Sequence, residues 1–135
     1  MGQKTHPTGF RIGIIEPWVS TWFAKRKQYP ANIAEDAKIR RFVKKKLYTA
    51  GVSRINIQRK GEAVNITVVT AKPGIVVGRG GQGIDELRAA VQKLLNNVNV
   101  SIDVVEVARI DADAQLVAEN IALQLGKRIA FCRVI

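Results

Sequence analysis

Ile75-Val76-Val77-Gly78-Arg79-Gly80-Gly81-Gln82-Gly83 opens onto an apolar-periodic run from Ile84 to Leu95. Four glycines fall within six positions, so a backbone can lie against another molecule with no Cβ in the way. Arg79 sits among them. The letters fit two devices. Gly78-x-Gly80-x-x-Gly83 matches the dinucleotide-binding fingerprint, and Gly78-x-x-Gly81 matches a loop that clamps a nucleic-acid backbone. The flanking elements decide between them.

Upstream, residues 31–50 carry a helical stripe, with Ile39, Phe42, Val43 and Leu47 at i, i+3, i+4 and i+8. Lys38, Arg40, Arg41, Lys44, Lys45 and Lys46 fill the remaining positions, and Gly51 is a natural stop. Two alternating strands follow, Val52 to Arg59 and Ala63 to Thr70, with Lys60-Gly61-Glu62 as a hairpin turn. Clean alternation predicts an antiparallel pair with one face covered and one polar. Pro73-Gly74 then breaks the chain ahead of the loop. After it come a helix from about Ile84 to Asn96 and a strand through Val98, Val100, Ile102 and Val104. The helix stripe is Ile84, Leu87, Val91, Leu94 and Leu95, and Asn96-Asn97 ends it. Asp111 is the expected N-cap of a last helix, with Asp113 in its first turn. An Asp-x-Asp metal site is the weaker reading of that pair. The last helix is expected to bury Ala114, Val117, Ile121 and Leu125.

A dinucleotide fold needs a buried parallel strand running straight into the glycine loop and an acid at the end of the next strand. Here only Ile75 to Val77 separate Pro73-Gly74 from Gly78, and Asp103 lies inside an alternating strand. The fingerprint reading fails on both counts. A P-loop fails because no Gly-Lys-Ser/Thr follows. The order αββααβ fits instead an α+β type II KH domain, a three-stranded sheet packed on helices, with Gly78, Arg79, Gly80 and Gly81 as its loop. Backbone N–H groups there face phosphate oxygens, Arg79 adds charge, and unpaired bases lie in the groove beside the sheet. Gly78→Asp with Gly81→Asp is expected to weaken RNA binding with little loss of fold.

The charge is one-sided. Residues 1–60 hold 14 Lys and Arg against 3 Asp and Glu, and residues 61–135 hold 8 of each. Such a field favours a polyanion, and the bland alternative is a solvated basic face. No apolar run nears the roughly 18 residues of a membrane span, and no secretory signal opens the chain. A soluble protein that stays in the compartment where it is made is the plain expectation. With Cys132 and His6 the only cysteine and histidine, neither an internal disulfide nor a Cys/His zinc site can form. His6 reads as solvated or as a phosphate contact. Residues 1–30 lack periodicity and read as an arm. In it Lys4, Arg11, Lys25, Arg26 and Lys27 mix with Trp18, Trp22, Phe23 and Tyr29. The tryptophans are expected to dock the arm and the basic residues to contact RNA.

Met1-Gly2-Gln3-Lys4-Thr5-His6-Pro7, Gly9-Phe10-Arg11-Ile12-Gly13, Trp18, Ser20-Thr21-Trp22, Val52-Ser53-Arg54-Ile55 and Thr70 through Gly78 resemble the family of the third protein of the small ribosomal subunit of bacteria and plastids. The resemblance runs from Met1 to about Arg133. It implies a structural, non-enzymatic protein of the small-subunit head, without a cofactor or a membrane partner. Its partners would be small-subunit ribosomal RNA, mRNA near its entrance and neighbouring small-subunit proteins, in the cytoplasm or plastid stroma. RNA would be held by the loop, by Lys4, His6 and Arg11, and by the six basic residues of 38–46. Lys127, Arg128 and Arg133 would lie toward mRNA. The family usually has two basic residues inside the glycine loop, where this chain has Arg79 and Gly80. It has consecutive arginines after the phenylalanine matching Phe131, where this chain has Cys132 and Arg133. The expected organisation is an arm (1–30), a KH domain (31–108) and a terminal helix (109–135), without the family's second domain. A free-standing KH module that regulates single-stranded RNA is the alternative.

Overall fold

The computed structural model describes residues 2–61, 63–95 and 98–127. Along the chain it forms α1 (Pro7–Arg11), β1 (Ser20–Thr21), α2 (Tyr29–Lys46), β2 (Val52–Lys60) and β3 (Ala63–Thr70). There follow α3 (Pro73–Val77), α4 (Gln82–Leu94), β4 (Asn99–Glu106) and α5 (Ala114–Gly126). Alternation dictates the sheet. β2 and β3 pair antiparallel, with Lys60 opposite Ala63, and β4 lies parallel to β3, with Ile102 beside Ile66. Their inward positions Ile55, Ile57, Val64, Ile66, Val68, Val100 and Ile102 form one cluster with Ile39 and Val43 of α2 and with Leu87, Val91 and Leu95. Each such buried aliphatic contributes about 2 kcal/mol. Helices α2 and α4 therefore cover one face of the sheet, and the fold is the α+β type II KH fold.

Four differences from the sequence reading have physical causes. The sheet has four strands, because the arm adds β1 in parallel beside Ile57 and Gln58. Leu94 is exposed, since the stripe of α4 is only wide enough for Leu87 and Val91, and Leu95 turns inward just past the helix end. Asp113, not Asp111, caps α5; it accepts from the N–H groups of Gln115 and Leu116 at 3.0 and 3.2 Å. Asp111 sits in a 3-10 turn over Ile110–Ala112. That shift rotates α5, so Leu116 is its buried residue while Val117 and Leu125 face out and Ala114 is exposed. The helix is apolar nearly all round, so periodicity could not choose the inner side. The expected Asn96-Asn97 stop lies outside the described residues.

Candidate nucleic-acid interface

Pro73 at the start of α3 and Gly78 after it confine that helix to a single turn. Gly78, Gly80 and Gly81 have φ of +70°, +63° and +87°, a region that side chains with a Cβ rarely adopt. Gly83 serves packing instead. A Cβ there would stand 2.5 Å from the Val76 carbonyl oxygen, so only glycine lets α4 start against α3. Arg79 and Gly80 are exposed at the loop's tip. The expectation that Gly78→Asp with Gly81→Asp would spare the fold is corrected. Both positions have positive φ, and a Cβ on Gly78 would lie 3.1 Å from the Gly83 nitrogen.

The basic set on α2 divides in two. Lys38, Arg41, Lys45 and Lys46 are exposed, while Arg40 and Lys44 are half-buried and have partners within the chain. Arg40 Nη2 donates to the Val19 carbonyl at 3.1 Å and to Ser20 Oγ at 2.6 Å, which holds the arm. Lys44 Nζ donates to the Val52 carbonyl at 2.9 Å and pairs with Glu119 at 2.5 Å, which holds α5. The cationic face open to solvent is thus four residues wide, and its last turn favours cations through the helix dipole as well.

The arm is fastened by a buried carboxylate that sequence reading missed. Asp36, only 5% exposed, accepts from Ser20 Oγ (3.0 Å) and Trp22 Nε1 (2.8 Å). It also accepts from Arg59 Nε (3.0 Å) and Nη2 (2.6 Å). Arg59 Nη1 reaches Glu35 at 2.9 Å. Burial disfavours the Arg59 cation, but its bonds to Asp36 and Glu35 outweigh that and its pKa is raised. Trp22 is also stacked at a tilt on Tyr29, ring centres 5.0 Å apart. The expected docking therefore holds for Trp22 and fails for Trp18, which is 65% exposed, with none of the described residues closing over its indole. A signal for Asp36 was in the sequence. It stands three residues before Ile39, on the apolar stripe, where an acid requires a partner.

The remaining expected contacts are scattered. Lys4, His6 and Arg11 are exposed, with His6 Nδ1 accepting from Gly9 N–H as the cap of α1 and Arg11 Nη1 donating to the Pro7 carbonyl. Lys127 is exposed at the end of α5, and Arg128 and Arg133 lie outside the described residues.

The order αββααβ, with α2 and α4 on one sheet face and Gly-x-x-Gly between α3 and α4, defines a type II KH domain. The family model described as the KH domain matches residues 38–111, and the chain belongs to that family. Beyond the domain, the chain is 54% identical over 98% of its length to small ribosomal subunit protein uS3 of Clostridium botulinum. It is 54% identical over its full length to the protein of the same name from Trichodesmium erythraeum, and 50% identical over 98% to that of Clostridium tetani. The resemblance read from the opening residues is thus met by proteins of that name. The chain spans 60%, 56% and 60% of the lengths of these relatives.

Proposed function

We propose that the chain is an RNA-binding structural component of the small ribosomal subunit. In this reading it grips ribosomal RNA chiefly through the exposed face of α2. The observation that carries this is the exposure of four cations on α2, Lys38, Arg41, Lys45 and Lys46, against the single exposed cation, Arg79, that the glycine loop presents. Phosphates meet the cations of α2, while the loop's bare backbone gives a close fit to sugar and phosphate at Gly78 to Gly81. Lys4, His6 and Arg11 extend the contact along the arm, and Lys25, Arg26 and Lys27 are also exposed there. Arg40 and Lys44 act one step back, by holding the arm and α5 in place. Lys127, with Arg128 and Arg133 after it, is the end assigned to mRNA at its entrance, and α5 carries that end beside neighbouring small-subunit proteins. The working division keeps 1–30 as arm, 31–108 as KH domain and 109–135 as the terminal helix. The protein performs no covalent chemistry in this role and acts inside the ribosome, in the cytoplasm for a bacterial source. Among the described residues no helix is long and apolar enough to cross a membrane.

Sedimentation tests the reading. The tagged chain, expressed in a bacterium, should stay with small subunits through a high-salt wash. Recovery in the free pool alone would favour a free-standing KH regulator and overturn the ribosomal assignment.

A further inference from the structure

Between the arm and α2 lies a cleft of about 620 Å³, large enough for a small ligand, whose lining includes Trp18, Trp22, Tyr29, Ile33 and Arg41. Trp18 is 65% exposed and Tyr29 51%, so two aromatic faces stand open around one concavity. Clustered exposed apolar surface of this kind marks a contact site. The wall behind it is rigid, because Trp22 is fixed by its bond to Asp36 and its stacking on Tyr29.

Charge narrows the ligand class. Asp36 is the only acid in the lining, and both its oxygens are taken up by Ser20, Trp22 and Arg59. Arg41 is exposed on the rim with half-buried Arg40 next to it in the lining, and an adjoining groove of about 360 Å³ shares both and adds Lys44 and Arg54. Arg40 Nε is buried and has no acceptor within the described residues. Exposed aromatic rings with an exposed guanidinium, Arg41, in the same lining suit a nucleotide, whose base has a π-face and whose phosphate is an anion. An apolar peptide would use the aromatics and leave the arginine rim unmatched.

We propose that this cleft receives one unpaired nucleotide of the bound RNA, with its base stacked on Trp18 and its phosphate on Arg41. The inference rests on the RNA-binding reading above and adds a site separate from the Gly78–Gly81 loop. Trp18 and Trp22 are the only tryptophans, which makes the site its own reporter. The full chain is titrated with a short single-stranded oligouridylate and, separately, with inorganic polyphosphate. Oligouridylate should quench tryptophan emission, polyphosphate should bind without quenching, and Trp18→Phe should remove most of the response that Trp18 reports. Trp18→Ala should weaken oligouridylate binding about five- to one-hundred-fold and leave polyphosphate binding unchanged. Trp18 is exposed, so the variant is expected to fold, and its circular dichroism checks that. RNA binding without quenching, or with full affinity in Trp18→Ala, would overturn the cleft proposal alone and leave the surface to a protein partner. Absence of any RNA binding by the wild-type chain would overturn the RNA-binding reading together with it.

Discussion

Asp36 shows how much one side chain can organise. It stands on the inner stripe of α2, where the desolvation of a carboxylate is offset only by several donors at once. Four donor atoms from three residues supply that, and two of those residues belong to the arm. Removing the carboxylate leaves Arg59 with Glu35 as its remaining acidic partner. We expect Asp36→Ala to cost on the order of 3 kcal/mol in urea denaturation. Its Trp22 emission should shift to the red as the arm detaches. An unchanged emission maximum would mean that the arm is held by other contacts. The pairing itself was illegible in the sequence, because Asp36 and Arg59 are 23 residues apart and meet only once β2 lies against α2.

At the scale of elements, α5 is attached by polar contacts more than by its apolar side. A bulge in β2, between Val52 and Arg54, turns Ser53 toward the Asp113 cap, and Ser53 Oγ donates to Asp113 Oδ2. Burial pulls the Asp113 carboxyl up. The Ser53 bond, the N–H groups of Leu116 and Gln115, and nearby Arg54 more than reverse this and hold it below the usual aspartate range. A carboxyl with a lowered folded-state pKa stabilises the fold fully above the unfolded value of about 3.9 and loses that contribution as pH falls through the lowered one. Amide protection factors in α5, taken relative to the intrinsic exchange rate at each pH, should therefore fall as the pH is taken below about 4, and Asp113→Asn should flatten that dependence. Equal acid sensitivity in the variant would mean that a group other than Asp113 sets the acid response of α5. Strands and core helices were legible because their periods are clean, as in Val64, Ile66 and Val68. The side that α5 buries was not, because Val117, Ile121, Leu123 and Leu125 offer apolar residues on several sides.

Across the whole molecule, charge and fold divide the work. Helices α2 and α4 present their apolar stripes to one sheet face, and most of the cations in residues 1–60 fall on the arm and α2, with Arg54, Arg59 and Lys60 on β2. The glycine loop was legible because Gly78 to Gly83 form a contiguous pattern set between predictable elements. Which cations stay exposed was not, since Arg40 and Lys44 look like Arg41 and Lys45 until they bond to the arm and to α5. Six phosphate contacts on α2, as composition suggests, would give log K a slope of roughly −4 to −5 against log[salt]; four exposed cations give roughly −3 to −4. The direct measurement is that slope for small-subunit ribosomal RNA, compared among the wild-type chain, the quadruple variant Lys38→Gln, Arg41→Gln, Lys45→Gln, Lys46→Gln, and Arg79→Gln. With the grip on α2, the quadruple variant loses about 3 of the slope and the loop variant about 1. A larger loss in Arg79→Gln than in the quadruple variant would contradict it and return the grip to the glycine loop.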